Sequence, residues 1–227
     1  MFLNGKIYLS KHLFNKKLKK DNFIRITKLI PDDVNLIAVS KGKSIEDIKV
    51  LIELNHKRFG ESRIQEAIPK IKELIDFDLE WHFIGNIQSN KIRKIIRNFD
   101  YIHSVDSITT LEKISAIAKQ ENKKPKVMIQ VKFYNDPNKG GMNPEDLRRC
   151  WGVIRVLSSI EVVGLMTINP QGLTHEEKII LFKKCRELAN QFDLKECSMG
   201  MSNDWNEAIN AGSTYLRLGS ALFGTRN

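Results

Sequence analysis

From residue 35 onward, short aliphatic runs alternate with longer stretches in which apolar residues recur every three or four positions. Leu36-Ile37-Ala38-Val39 is the first run, opened by Asn35 and followed by Ser40-Lys41-Gly42. An unbroken apolar run of this kind predicts a strand over 35–40 that is buried on both faces, as in a parallel sheet. Ser44-Ile45-Glu46-Asp47 then offers a hydroxyl cap and an acidic first turn for a helix over 44–54. The same alternation predicts further strands at 58–60, 81–85, 101–105, 127–131, 160–166, 197–200 and 215–219.

Helices fill the intervals. Ile64, Ala67, Ile68, Ile71, Leu74 and Ile75 form one stripe, interrupted by Pro69; residues 88–98 form a basic helix, and Leu111, Ile114, Ile117 and Ala118 share a face. Asn143-Pro144 places a cap before a first-turn proline, Thr174-His175-Glu176-Glu177 is a capping box, and a further helix is expected over 203–211. Upstream, residues 9–30 read as a helix with a basic face, ended by Pro31-Asp32-Asp33. Strands and helices alternating without a linker or composition break predict an α/β fold. We expect a single (β/α)8 TIM-type barrel over 1–227, with 1–33 as an N-terminal helical segment.

Composition adds little to this picture. At 227 residues, 41% hydrophobic and 28% charged, the chain suits one globular domain. No stretch approaches a membrane span, and the basic N-terminus lacks a signal-peptide core, so a cytoplasmic location is expected. Cys150, Cys185 and Cys197 are far apart and fit neither a disulfide framework nor a zinc site. The net charge of +10 is spread along the chain. Its one cluster, Lys16-Lys17-Leu18-Lys19-Lys20, accompanies no nucleic-acid signature, so specific nucleic-acid binding is not expected.

Ligands of such barrels bind at the carboxyl ends of the strands. Lys41 ends the first strand. Against apolar walls its charged form would be disfavoured and its amine could attack a carbonyl; the alternative is a strand-terminating lysine that reaches solvent. Gly200-Met201-Ser202 and Gly219-Ser220 lie in the loops after strands seven and eight, where barrels frequently hold phosphate on backbone N–H groups and hydroxyls. Arg217 could face a ring nitrogen in the barrel mouth or pair with a carboxylate on an adjacent strand. His82 and His103 could line the pocket or be satisfied structural residues. Met166 and Met199 could pack on a ligand ring or fill the core. Asp204 is explained by stabilisation of a helix first turn. No GxGxxG, P-loop, GxSxG or HExxH motif occurs.

Six separated motifs carry a resemblance. They are Ala38-Val39-Ser40-Lys41, Phe59-Gly60-Glu61, His82-Phe83-Ile84-Gly85 with Gln88-Ser89-Asn90-Lys91, Gly164-Leu165-Met166, Ser198-Met199-Gly200-Met201-Ser202-Asn203-Asp204, and Arg217-Leu218-Gly219. In this order they resemble the pyridoxal phosphate homeostasis proteins (the YggS/PROSC family), in register from about residue 35 to the end. The resemblance implies a barrel related to the N-terminal domain of alanine racemases, with pyridoxal 5′-phosphate held as a Schiff base on Lys41. It implies Ser202, Gly219 and Ser220 at the phosphate, Arg217 at the pyridine nitrogen, and His82 and Met199 among the cofactor-binding residues. An arginine at that nitrogen weakens the cofactor as an electron sink. Ser62 and Ser44 depart from the family, which usually has asparagine and proline there, and the N-terminal helix is poorly matched.

The function implied is intracellular buffering or delivery of the cofactor without turnover, with pyridoxal-phosphate-dependent apo-enzymes as candidate recipients and a monomeric state. The alternative is an amino-acid racemase using Lys41 as base. Racemases draw a second acid/base tyrosine from a further domain, and none of Tyr8, Tyr101, Tyr134 and Tyr215 has an evident counterpart position. An aldolase-type lyase, with Lys41 attacking a sugar-phosphate carbonyl directly, is a third reading.

Overall fold

In the computed structural model, the structure describes residues 2–134 and 140–224, with side chains from residue 14 onward. Eight parallel strands close into a barrel in sequence order, β1 (Asn35–Val39), β2 (Arg58–Glu61), β3 (Glu80–Phe83), β4 (Tyr101–Val105), β5 (Lys126–Gln130), β6 (Glu161–Met166), β7 (Glu196–Ser198) and β8 (Tyr215–Leu218). Closure pairs β8 with β1 along four registered positions, from Asn35 opposite Tyr215 to Ala38 opposite Leu218. The (β/α)8 barrel expected from the hydrophobic pattern is therefore the observed fold.

Four of the helices begin at a side-chain cap. Ser44 and Thr174 form capping boxes for α2 (Ile45–Ile52) and α7 (His175–Gln191), while Ser107 and Asn143 cap α5 (Ile108–Gln120) and α6 (Pro144–Ile154). The predicted 44–54 helix thus starts one residue after its cap. α3 (Ile64–Glu73) continues through Pro69, anchored by the buried Ile64, Ala67 and Ile71. The basic stretch 88–98 divides into a 3-10 turn, Ser89–Lys91, and α4 (Ile92–Asn98). α8 (Trp205–Asn210) is shorter than expected, and α9 (Ser220–Phe223) was not foreseen.

α1 runs over Phe2–Thr27, starting earlier and stopping sooner than the predicted 9–30. Its basic cluster meets the acids of α2. Lys16 and Lys20 each lie 2.8 Å from Glu53, and Lys19 pairs with Asp47. Phe23 and Ile26 are buried beneath these pairs. The lysine run therefore serves as a helix–helix contact, while most of its charge-pair energy is weakened by exposure to water.

Two apolar layers result. The larger lies between the barrel and its helices and includes Ile48, Phe59, Leu111, Leu147, Phe182, Cys185, Cys197 and Met199. The smaller fills the barrel interior with Ile37, Tyr101, Met128, Met166 and Tyr215. Among the described residues, no helix is long and apolar enough to cross a membrane.

Candidate functional site

The carboxyl ends of β1, β7 and β8 are neighbours, which brings Lys41, Ser202, Gly219 and Ser220 to one edge of the barrel mouth. Gly200 makes the turn out of β7. Its φ is +91°, and a Cβ there would stand 2.6 Å from Ala208 Cβ and 2.9 Å from Leu216 Cδ2. Only glycine meets both demands. The turn is closed by Asp204, whose Oδ1 accepts from Met201 N–H at 2.6 Å. Asp204 occupies the N-cap position of α8 and makes no side-chain cap bond; its carboxylate is used to close this loop. Burial raises its carboxyl pKa, opposed by the Met201 N–H and by Arg217.

Ser202 Oγ accepts from Ala221 N–H at 3.2 Å, tying the β7 loop to the start of α9. Gly219 sits at the N-cap of α9, and a Cβ there would be in ordinary contact with Val39 at 3.5 Å. Two hydroxyls and a helix start thus converge beside the first strand, a donor set suited to a phosphate monoester. Lys43 reinforces the arrangement by donating to Gly224 O at 3.2 Å.

Lys41 is exposed at the end of β1. Of the two readings of this lysine, the structure bears out the strand-terminating side chain that reaches solvent. Its backbone neighbours are clamped from α3. Lys70 Nζ donates to Ser40 O, to Glu61 Oε1 at 2.8 Å and to Glu66 Oε1 at 2.6 Å. Ser40 Oγ donates to Glu61 Oε1 at 2.7 Å, and Gly42 N–H donates to Glu66. Lys70 and Glu61 are buried, and Glu61 Oε2 has no hydrogen-bond partner among the described residues. Burial raises the Glu61 pKa against the pull of Lys70 and Ser40. This clamp was not evident in the sequence, because it joins a strand end to a helix side chain nine positions on. The loop of Ser62, the family departure, packs backbone-first on Gly85, where a Cβ would fall 2.0 Å from Ser62 O.

Arg217 is buried on β8. Its Nη1 donates to Ser198 Oγ at 2.7 Å and its Nη2 to Thr167 O at 2.9 Å. A hydroxyl and a carbonyl therefore take the place of the adjacent-strand carboxylate considered above. Burial lowers its pKa to about 10, with Asp204 acting against that shift; the guanidinium remains charged at neutral pH. Two of its five N–H donors are thereby committed to protein acceptors.

Polar contacts continue inward. Ser198 Oγ meets His103 Nδ1 at 2.8 Å, His103 Nε2 meets His82 Nδ1 at 2.9 Å, and His82 Nε2 meets Glu80 Oε1 at 2.9 Å. The His82 ring stacks on Tyr101 with centroids 4.6 Å apart. Burial depresses the pKa of both histidines, that of His103 furthest. His82 thus has both ring nitrogens engaged by protein groups. Met199, expected beside a ligand, is fully buried in the layer between barrel and helices and has a packing role. Met166 lies in the barrel interior instead. Ser198, Thr167 and Lys70 escaped the sequence reading. The first had a usable signal, a polar residue between the apolar Cys197 and Met199.

Known proteins share this fold. The family model described as "Alanine racemase, N-terminal domain" matches residues 17–227, so the similarity starts within α1, upstream of the register expected from the motifs. The pyridoxal phosphate homeostasis protein of Synechocystis sp. is 43% identical over 90% of this chain and 97% of its own. The solved structure of PipY of Synechococcus elongatus PCC7942 with pyridoxal phosphate bound has a TM-score of 0.87 and 40% identity, covering 91% of this chain and all of that one. An alanine racemase of Clostridium difficile, 17% identical with a TM-score of 0.78, covers 92% of this chain and 57% of its own and shares the fold. The chain belongs to the alanine racemase N-terminal domain family and, within it, to the pyridoxal phosphate homeostasis proteins.

Proposed function

We propose that this protein binds pyridoxal 5′-phosphate reversibly on Lys41 and serves to buffer or deliver it, without a turnover reaction of its own. The observation that carries the reading is the convergence of an exposed lysine amine, two serine hydroxyls at a helix start and a buried guanidinium at one barrel mouth. Those residues fit the chemistry of the group: a nucleophile for an aldehyde, donors for a phosphate and a cationic donor for a pyridine nitrogen. When bound, the cofactor supplies an electrophilic aldehyde and an aromatic ring. Lys41 provides the amine, Ser202, Gly219 and Ser220 hold the phosphate, and Arg217 meets the ring nitrogen. His82 contributes through the chain that reaches Arg217.

Exposure of Lys41 suits a carrier, since solvent and a recipient can reach the linkage. The tyrosines support the same side. Tyr101 and Tyr215 lie in the barrel interior with their hydroxyls 3.3 Å apart, and Tyr134 donates to Ile168 O at 2.6 Å. Tyr101 and Tyr215 open β4 and β8 at the amino ends of the strands, away from the barrel mouth, and the Tyr134 hydroxyl is engaged by a backbone carbonyl; the side chain of Tyr8 lies outside the described residues. The working setting of the proposal is a monomer in the cytoplasm, with pyridoxal-phosphate-dependent apo-enzymes as recipients.

The test is the absorbance spectrum of the purified protein after incubation with pyridoxal phosphate, followed by borohydride reduction and peptide mapping. A near-ultraviolet band, a reduced adduct on Lys41 and loss of both in Lys41→Ala support the reading. No band in the wild type overturns it, and steady racemisation of an amino acid overturns the carrier role.

A further inference from the structure

Arg217, Ser198, His103, His82 and Glu80 form one unbroken chain of hydrogen bonds through the barrel, with links of 2.7, 2.8, 2.9 and 2.9 Å. The chain crosses from β8 and β7 on one side to β4 and β3 on the other, and Ser198, His103 and His82 are fully buried. Its ends differ chemically. A guanidinium can only donate, and a carboxylate can only accept.

Those ends restrict where the protons can lie. Arg217 donates to Ser198 Oγ. If Ser198 passes its own proton to His103 Nδ1, then His103 must carry its proton on Nε2 and donate to His82 Nδ1. His82 then carries its proton on Nε2 and donates to Glu80. Every link holds one proton, and both imidazoles are neutral. The reverse order needs His103 to donate to Ser198 and His82 to donate at both nitrogens. That would make His82 a buried cation, add a second donor to Ser198 Oγ, and leave the serine proton in search of another acceptor. Burying a charge disfavours this arrangement, and so does the cationic Arg217 at the far end. Glu80 is itself held by Arg58 Nε at 3.1 Å.

We infer that Glu80, His82 and His103 are positioning residues for Arg217, and that the carboxylate near the amino ends of the strands fixes the direction of a one-way proton order running from Arg217 at the cofactor face to Glu80. The chain keeps Ser198 Oγ a pure acceptor toward Arg217, which holds the guanidinium in place and leaves its other N–H groups for a ligand. Its effect on the cofactor rests on the proposed role of Arg217 at the pyridine nitrogen. The proton order itself does not.

Two readouts keep these apart. Side-chain ¹⁵N NMR of the ligand-free wild type at neutral pH should show His82 and His103 both as neutral Nε2–H tautomers. An Nδ1–H tautomer at His103, or a doubly protonated His82, overturns the inference. Glu80→Gln gives the end of the chain a donor as well as an acceptor, so the His103 tautomer should change two links away while the thermal transition stays cooperative. Affinity for pyridoxal phosphate should fall about fivefold, the loss of one ordinary hydrogen bond. Should Glu80→Gln fail to fold, His82→Phe keeps the stack on Tyr101 and interrupts the chain, with the same expected change at His103. Unchanged His103 nitrogen shifts in these variants overturn the inference. Changed shifts with unchanged cofactor affinity overturn its link to Arg217. Failure of the wild type to bind pyridoxal phosphate overturns the proposed function and leaves the proton order standing on the NMR result.

Discussion

Lys70 places its ammonium against Ser40 O, Glu61 and Glu66, all within 2.8 Å, and is itself almost fully buried. Removing one member of such a pair strands the other. Lys70→Met should therefore destabilise the fold by about 3–5 kcal/mol in urea denaturation. The pH dependence tests the cause. The lone Glu61 carboxyl, already raised by burial, escapes its charge by taking a proton, so the deficit should shrink as the pH is lowered from about 8 to about 6. A deficit independent of pH would mean that packing, not charge, is what Lys70 provides. At this scale the sequence was partly legible. Lys41 was visible because a polar residue ending an apolar run marks a strand end. Lys70 was not, since a lysine beside Pro69 on an amphipathic stripe gives no sign that it turns inward to a buried carboxylate.

The elements explain how separate loops become one cradle. α9 is only four residues long, and Ser202 from the loop after β7 accepts the Ala221 N–H in its first turn. Ser202→Ala should remove both this bond and a phosphate donor. Spectroscopic titration should show pyridoxal phosphate bound about tenfold more weakly, as for loss of one hydrogen bond to a charged group. Pyridoxal, which lacks the phosphate, should bind as it does to the wild type; equal weakening of both would place Ser202 outside the phosphate site. Thr174 offers a purely structural comparison. It caps α7 reciprocally with Glu177, far from any cradle residue in sequence, so Thr174→Ala should cost about 1 kcal/mol and leave cofactor affinity unchanged. Caps of this kind mark the starts of α2, α5, α6 and α7, and three of these, all but that of α5, were readable from the chain. α9 stayed hidden because four residues carry no periodicity, and the split of 88–98 stayed hidden because Lys91 makes no side-chain cap.

At the scale of the whole molecule, the fold holds His56, His82 and His103 away from water, and this sets its acid tolerance. His56 lies between Phe23 and Phe59, each 5.2 Å away edge-on, and donates from Nε2 to Arg58 O at 2.7 Å. Burial lowers its pKa to about 4, while His82 and His103 are lowered by burial as well. In the unfolded chain these rings take up protons near their ordinary pKa of about 6.5. Between those values the unfolded state binds more protons than the folded one, so stability must rise with pH across the window. It is fully present above about pH 6.5 and drains as the pH falls toward 4, by about 1.4 kcal/mol per pH unit for each histidine that stays neutral. For His56 alone the total approaches about 3 kcal/mol. Depressed carboxylates such as Glu53, whose pKa is about 2, act in the same direction but only below their unfolded value near 4.5. Urea denaturation at intervals from pH 7 to pH 5 therefore lies above the window of the depressed carboxylates, and the His56 variant separates its share from that of the raised Glu61 and Asp204. The wild-type stability should fall steeply over that range, and His56→Gln, which keeps a donor for the Arg58 carbonyl, should flatten the slope by about one proton. A slope unchanged by His56→Gln would mean that His56 ionises in the folded protein as readily as in the unfolded one.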